Sequence, residues 1–189
     1  PDQQRVALSY LAHPPLVGRD AMITRLLAPF TRDEPSGAVF SLVSNPGLGR
    51  SALLTRLMLG ARIAGVVVLH AEARVHKGAF GVARALVRSA LFVLPDQLTR
   101  LVEQHYEVVQ FCAPELVPEG FEPKSLSRTT NALPERHARL LGAMQDVLVT
   151  LAERAPVCVV VDDVHRADQE SQGLLASLAS VSEGLPLSI

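Results

Sequence analysis

Four short runs of consecutive apolar residues alternate along the chain with segments of helical periodicity. The runs cover residues 38–43, 66–69, 157–161 and 185–189. A strand that is apolar on both faces is typical of a parallel sheet whose two sides are covered by the connecting helices. The pattern therefore predicts an α/β fold with three layers, in which a mostly parallel sheet lies between two layers of helices.

Length, charge and cysteine content exclude several classes of protein. The chain has 189 residues, enough for one domain with a hydrophobic core that needs no disulfide bonds. Its 18 basic and 19 acidic residues give a formal net charge of -1, which argues against a nucleic-acid surface. Without a signal peptide or an apolar run of about 18 residues, we expect no membrane span. Only two cysteines, Cys112 and Cys158, are present, which fits a reducing cytoplasm.

Prolines and the chain ends suggest the domain organisation. Residues 1–15 end in Pro14-Pro15 and predict a linker or N-terminal arm. Residues 16–189 form the predicted core, with an irregular, proline-containing insertion at 112–133. Because the first residue is not Met and the fourth apolar run has only begun at residue 189, we expect a partial core, truncated after its fourth strand, from a longer chain.

The segment after the first apolar run matches a phosphate-binding loop. Ser44–Ser51 reads S-N-P-G-L-G-R-S against the pattern G-x-x-x-x-G-K-[ST], between a predicted strand and a predicted helix. In such a loop Gly49 lets the backbone approach the phosphates, and the Ser51 hydroxyl binds Mg²⁺. Ser44 replaces the first glycine, and Arg50 replaces the lysine. A guanidinium keeps the charge but is larger and planar, so it either binds phosphate or fills the site itself.

Two aspartates directly follow the most apolar predicted strand. Asp162 and Asp163 come after residues 157–161, and α/β sheets bind ligands at the carboxyl ends of their parallel strands. In phosphate-loop NTPases an aspartate at this position holds Mg²⁺, so Asp162 is the candidate metal ligand together with Ser51. Asp163 is the candidate catalytic residue, placed to orient or polarise the attacking water. The alternative for both motifs is an ordinary turn without a ligand.

Three motifs in this order resemble the STAND-class AAA-type ATPase domain. They are L-V-G-R-D at 16–20, G-L-G-R-S-A-L-L at 47–54 and V-V-V-D-D-V-H-R-A-D at 159–168. The resemblance covers residues 15–189 and implies a P-loop NTPase fold that acts as an ATP-driven conformational switch in large bacterial signalling proteins and transcription regulators. The chain departs from the family at Arg50, where lysine is usual, and at Arg166, where an aromatic residue is usual.

The resemblance also implies roles for individual residues. The first motif is implied to lie near the adenine, and Asp162 and Asp163 are implied to form the Walker B pair, with Ser51 and Asp162 on Mg²⁺. The residues implied to contact the nucleotide are Val17, Gly18, Arg19, Asn45, Pro46, Gly47, Leu48, Gly49, Arg50, Ser51 and Ala52.

The resulting hypothesis is a cytoplasmic regulatory module that binds ATP or ADP with Mg²⁺. Because Arg50 stands in place of lysine, we expect weak or absent hydrolysis, with ATPase activity left open for the full-length parent. The expected partners are nucleotide, the sensor and output domains of the parent and a second copy in a homo-oligomer, but not nucleic acid or membrane. One alternative is a degenerate, nucleotide-free P-loop domain that serves as an interaction scaffold. Another is a replication-initiator-type ATPase, which usually carries Asp-Glu at the acidic pair.

Overall fold

The computed structural model describes residues 18–31, 36–45, 47–121 and 133–189, in which α-helices connect the strands of one sheet. The predicted linker at 1–15 lies outside them. The helices are α1 (Asp20–Leu27), α2 (Arg50–Ile63), α3 (Gly81–Val93), α4 (Leu98–Cys112), α5 (Leu133–Ala152) and α6 (Gln169–Val181). The strands are β1 (Val67–Glu72), β2 (Val157–Asp162) and β3 (Leu187–Ser188).

The three strands form one parallel sheet in the order β1-β2-β3. Val67 lies opposite Val157 and Glu72 lies opposite Asp162, so β1 and β2 end at the same edge of the sheet. The parallel sheet flanked by helices confirms the predicted α/β fold class. It also brings the residues that follow β1 and β2 together, as expected for the carboxyl edge of such a sheet.

The prediction of a strand over residues 38–43 is wrong for most of that run. Only Ala38 forms a bridge, in parallel with Ser188. Two backbone hydrogen bonds extend this contact, from Phe40 N–H to the Ile189 carbonyl at 2.8 Å and from Ile189 N–H to the Ala38 carbonyl at 2.9 Å. The physical reason is that a strand needs a partner backbone, and among the described residues the run is paired where Ala38 and Phe40 face Ser188 and Ile189. Val43, at the other end of the run, is 90% exposed.

Side chains of β2 are buried on both faces of the sheet. Val157 and Val159 belong to the larger core cluster, which includes α3, α5 and α6, whereas Cys158 and Val160 pack against α2 in the smaller one. All four are at most 5% exposed. This alternation explains why the strand reads as a continuous apolar run. Within the described ranges, no helix combines the length and the apolar character needed to cross a membrane.

The predicted irregular insertion at 112–133 is described only in part. Cys112 is the last residue of α4, and a 3₁₀ turn follows at Pro114–Leu116. Residues 122–132 lie outside the described residues, and α5 begins at Leu133. The two end residues of the predicted range, Cys112 and Leu133, thus lie in α-helices, and the insertion as a whole stays a prediction.

Both cysteine thiols are buried in the core and form no disulfide. Burial raises the pKa of Cys112 to about 12, against the opposing effect of nearby Arg84 and Arg88, and burial raises the pKa of Cys158 to about 11. Because the thiolate is the nucleophile, we expect both to react with a disulfide reagent at least about a hundredfold more slowly in the native protein than after unfolding. Absorbance of the released thiol measures this, and rapid labelling of native protein would contradict it.

Candidate functional site

A polar cavity of about 680 Å³ lies at the carboxyl edge of the sheet. One wall is the loop that leads into α2, and the other wall consists of residues at and after the ends of β1 and β2. The loop residues that line it are Ser44, Asn45, Gly47, Gly49, Arg50, Ser51 and Ala52, and those of the other wall are Glu72, Arg74, Asp162, Asp163, His165 and Arg166.

Glycine is needed at two positions of the loop. Gly47 and Gly49 have φ angles of 82° and 75°, in the left-handed region that other residues rarely adopt. A Cβ atom built on either glycine meets no atom within 4 Å, so the backbone here borders open space. The loop therefore exposes its main chain where a phosphate-binding loop would need to.

The start of α2 offers unpaired backbone donors to the cavity. Gly49 is the N-cap, and the Leu53 N–H donates to its carbonyl at 2.9 Å. The N–H groups of Arg50, Ser51 and Ala52 precede this bond and have no acceptor within the helix. The Ser44 hydroxyl oxygen is buried and lacks a hydrogen-bond partner among the described residues. Such donors at a helix N-terminus suit an anion.

Ser51 and Asp162 meet directly across the cavity. The Ser51 hydroxyl donates to Asp162 Oδ2 at 2.9 Å, and the Asp163 N–H donates to Asp162 Oδ1 at 2.8 Å. The two predicted metal ligands are therefore adjacent although they are 111 positions apart in the chain. Both contribute oxygen atoms, the ligand type that Mg²⁺ prefers.

Asp163 is held by two arginines. Arg50 Nη2 donates to Asp163 Oδ1 at 2.5 Å, and Arg74 Nε forms an ion pair with Asp163 Oδ2. Arg50 Nε also lies 3.5 Å from Asp162 Oδ1. The Asp163 backbone is left-handed, with φ 54°, and its side chain is only 8% exposed. Of the two roles expected for Arg50, filling the site itself fits this geometry, since its guanidinium crosses to the acidic pair.

The first motif contacts the loop through one residue. Arg19 Nη2 donates to the Leu48 carbonyl at 2.5 Å. Gly18 precedes Arg19 with a positive φ of 79°. Val17 and Pro46, also predicted to contact the nucleotide, lie outside the described residues.

The sequence reasoning missed Arg74, which is the second partner of Asp163. Glu72, His165 and Arg166 also line the cavity without having been proposed as site residues. The signal for Arg74 was its position, two residues after the end of the strand that neighbours β2. This position becomes informative only once β1 is known to lie beside β2, and the sequence of one strand does not show which strand is its neighbour.

Asp168 fixes the segment that follows the acidic pair. Its carboxylate caps α6 by accepting from the Ser171 N–H at 2.9 Å and the Ser171 hydroxyl at 2.7 Å. The same carboxylate accepts from the N–H groups of Phe80 at 2.9 Å and Gly81 at 3.0 Å, at the start of α3. The Ala83 N–H donates to the Ser171 hydroxyl oxygen at 3.0 Å. Two helix N-termini thus share one aspartate and one serine, which we call the Asp168 junction.

The charge of Asp168 is stabilised by these bonds. Burial acts to raise the pKa of the carboxyl group, but the hydrogen bonds from Ser171 and Phe80 outweigh it and hold that pKa below its usual range. The positive ends of two helix dipoles favour the same ionised form. Asp168 is therefore a structural carboxylate that orients the wall of the cavity.

The chain was compared with curated proteins, solved structures and family models. No curated protein and no solved structure matches the chain. A family model described as AAA ATPase domain matches residues 15–189, a range that contains every residue of the cavity. The chain belongs to the AAA ATPase domain family, which is a family of P-loop, nucleotide-binding domains.

Proposed function

We propose that this domain is the nucleotide-binding switch module of a STAND-type signalling ATPase and binds ATP or ADP together with Mg²⁺. The observation that carries the proposal is the contact of 2.9 Å between the Ser51 hydroxyl and Asp162 Oδ2. It joins the predicted phosphate loop to the predicted acidic pair at one cavity. Each motif alone is also compatible with a turn without a ligand, but their convergence is what a phosphate and metal site requires.

The loop residues fit a bound polyphosphate. The left-handed backbone at Gly47 and Gly49 leaves open space beside the main chain, and the first N–H groups of α2 have no acceptor within the helix. Ser44 adds a buried hydroxyl group that has no partner among the described residues. These groups would hold phosphate oxygens by hydrogen bonds, and Arg19 would keep the first motif against the loop through Leu48.

Ser51 and Asp162 fit a magnesium ion shared with the nucleotide. Among the described residues no group of three or more His, Cys, Asp or Glu side chains is arranged to hold a metal by itself. The two oxygens of Ser51 and Asp162 suit Mg²⁺, which is commonly held by few side chains and by substrate phosphates. When bound, the ion would neutralise phosphate charge.

The arginine contacts of Asp163 support weak or absent hydrolysis. A residue that orients water must present its carboxylate to that water, whereas Asp163 is turned to Arg50 and Arg74, and Arg74 contacts Oδ2 independently of the Arg50 contact with Oδ1. Arg50 in turn is directed at the acidic pair instead of the loop. We propose a site that binds nucleotide and turns it over slowly.

The biological setting is proposed from the resemblance alone. It comprises a cytoplasmic multidomain parent with sensor and output domains, a role in signalling or transcription regulation, and association with a second copy. Residues 16–189 would form its partial P-loop core, with 1–15 as an arm.

Calorimetric titration with ADP and with ATP tests nucleotide binding. We expect the native protein to bind more tightly in Mg²⁺ than in EDTA, and Asp162→Ala to lose that difference, which is about tenfold, because the metal loses a ligand. Asp96→Ala, at an exposed site on the start of another helix, serves as the control and should titrate like the native protein. Identical heats from native protein and Asp162→Ala, or none from either, would refute the proposal.

The scaffold hypothesis has one observation in its favour, which is the engagement of Arg50 by both aspartates. In that case the guanidinium takes the place of a ligand, and the domain presents a fixed surface to other proteins. The scaffold hypothesis requires that the native chain bind no nucleotide in the calorimetric titration.

A further inference from the structure

We propose that Arg74 regulates the nucleotide site by staying paired with Asp163 when Arg50 leaves that carboxylate, so that Arg50 can turn to the nucleotide phosphates. This inference rests on the proposed function. It concerns a residue outside the phosphate loop and the acidic pair, and it explains how a loop with arginine in place of lysine can still use that charge.

The geometry places the two guanidinium groups on different oxygens of one carboxylate. Arg50 contacts Oδ1 of Asp163, and Arg74 contacts Oδ2. The Asp163 side chain is 8% exposed, so it is nearly buried and its charge needs a partner. We call this three-residue group the arginine clamp.

The two arginines of the clamp differ in their freedom. The Arg50 side chain is 31% exposed and also has Nε 3.5 Å from Asp162, whereas the Arg74 side chain is 62% exposed. Arg50 also stands in the first turn of α2, beside the unpaired N–H groups of the loop. Arg50 is thus the member that lies next to the phosphate position, and Arg74 is the member that reaches in from solvent.

The free energy needed to move Arg50 away from Asp163 depends on whether Arg74 is present. When Arg74 stays on Asp163, the carboxylate remains paired after Arg50 turns toward phosphate. When Arg74 is absent, the same movement leaves a nearly buried carboxylate unpaired, which is unfavourable by about the free energy of one ion pair. Arg74 therefore raises nucleotide affinity through Asp163 and not through direct contact.

A cycle of variants separates this indirect effect from simple charge attraction. Calorimetric titration with ADP in EDTA compares Arg74→Ala with native protein, and then Asp163→Asn/Arg74→Ala with Asp163→Asn. We expect Arg74→Ala to weaken binding about fivefold in the native background, the scale of one ion pair of about 1 kcal/mol. In the Asp163→Asn background the loss should be less than about twofold, because an amide side chain needs no cation. Asp163→Asn alone should bind more tightly than native protein because Arg50 is freed.

Arg166 provides the matched control. It lines the same cavity, and its side chain is not an ion-pair partner of Asp163 among the described residues. Arg166→Ala removes the same charge and should weaken binding by one small factor that is equal in both backgrounds. The proposal is overturned if Arg74→Ala weakens ADP binding by the same factor in the native and the Asp163→Asn backgrounds. It is also overturned if Arg166→Ala weakens binding as much as Arg74→Ala does and with the same dependence on the background.

The two proposals fail in distinguishable ways. If native protein binds no ADP, the proposed function fails, and the clamp proposal fails with it because Arg74 has then not allowed Arg50 to reach the nucleotide. If native protein binds ADP and the loss caused by Arg74→Ala is equal in both backgrounds, only the clamp proposal fails. Thermal unfolding of every variant checks the fold, and Arg74→Gln replaces Arg74→Ala if the latter unfolds early.

Discussion

Replacing Asp168 by alanine is expected to lower the free energy of unfolding by about 3 kcal/mol, because one carboxylate caps two helices. The change leaves the N–H groups of Phe80 and Gly81 at the start of α3, and the Ser171 N–H of α6, without their acceptor. It also removes a negative charge from two positive helix ends. Urea unfolding followed by circular dichroism measures the loss.

The control for this result is Asp96→Ala, which removes an exposed aspartate near the start of α4. We expect it to change stability by less than about 0.5 kcal/mol. An Asp168→Ala protein as stable as this control would mean that the junction does not hold the two helices.

The contribution of Asp168 should also depend on pH in a defined direction. Its pKa in the folded state lies below the ordinary value of 3.8. The stabilisation is therefore fully present above the unfolded-state pKa, and it is lost as the pH falls through the lower folded-state pKa. The difference in stability between native protein and Asp168→Ala should accordingly be constant near neutral pH and shrink in acid.

The second large effect is expected from Arg50→Lys, which should tighten ADP binding by about 2 kcal/mol, close to thirtyfold. Lysine carries a point charge and cannot make the forked contacts by which Arg50 reaches Asp162 and Asp163 together. Its ammonium group is thus freer to serve the phosphates. Calorimetric titration with ADP measures the affinity.

Arg56→Lys is the matched control, since Arg56 lies exposed in the same helix, α2. It should leave the affinity unchanged. Unchanged affinity in Arg50→Lys would show that the contacts with the acidic pair do not oppose binding. If native protein binds nothing and Arg50→Lys creates binding, the scaffold hypothesis is supported for the native chain.

The layers of the fold could be predicted from sequence because a strand that is buried on both faces of the sheet has consecutive apolar residues. Cys158 and Val160 had to be apolar for one helical layer, and Val157 and Val159 for the other. The run at 38–43 has the same appearance, yet strand structure there depends on a partner. Its backbone pairs through Ala38 and Phe40 with Ser188 and Ile189, and local composition does not report which residues of a run find a partner.

The site could be predicted where local motifs define it. The contact between Ser51 and Asp162 follows from two motifs, one at the start of α2 and one at the end of β2, that meet at one edge of the sheet. The arginine clamp could not be predicted in the same way, because Arg74 belongs to neither motif and reaches Asp163 only through the adjacency of β1 and β2. The direction of the Arg50 side chain likewise depends on tertiary contacts.

The bridge between Ala38 and Ser188 has a consequence for the order in which the protein is made. Ala38 and Ser188 are 150 positions apart, and the Ala38 N–H also donates to the Ser188 hydroxyl at 3.2 Å. Contacts of such long sequence separation close slowly. A ribosome that has released the chain only through β2 has delivered the acidic pair, while the segment leading into the phosphate loop still lacks its place in the sheet. Synthesis must pass residue 188 before that segment gains its backbone contacts with the sheet through β3.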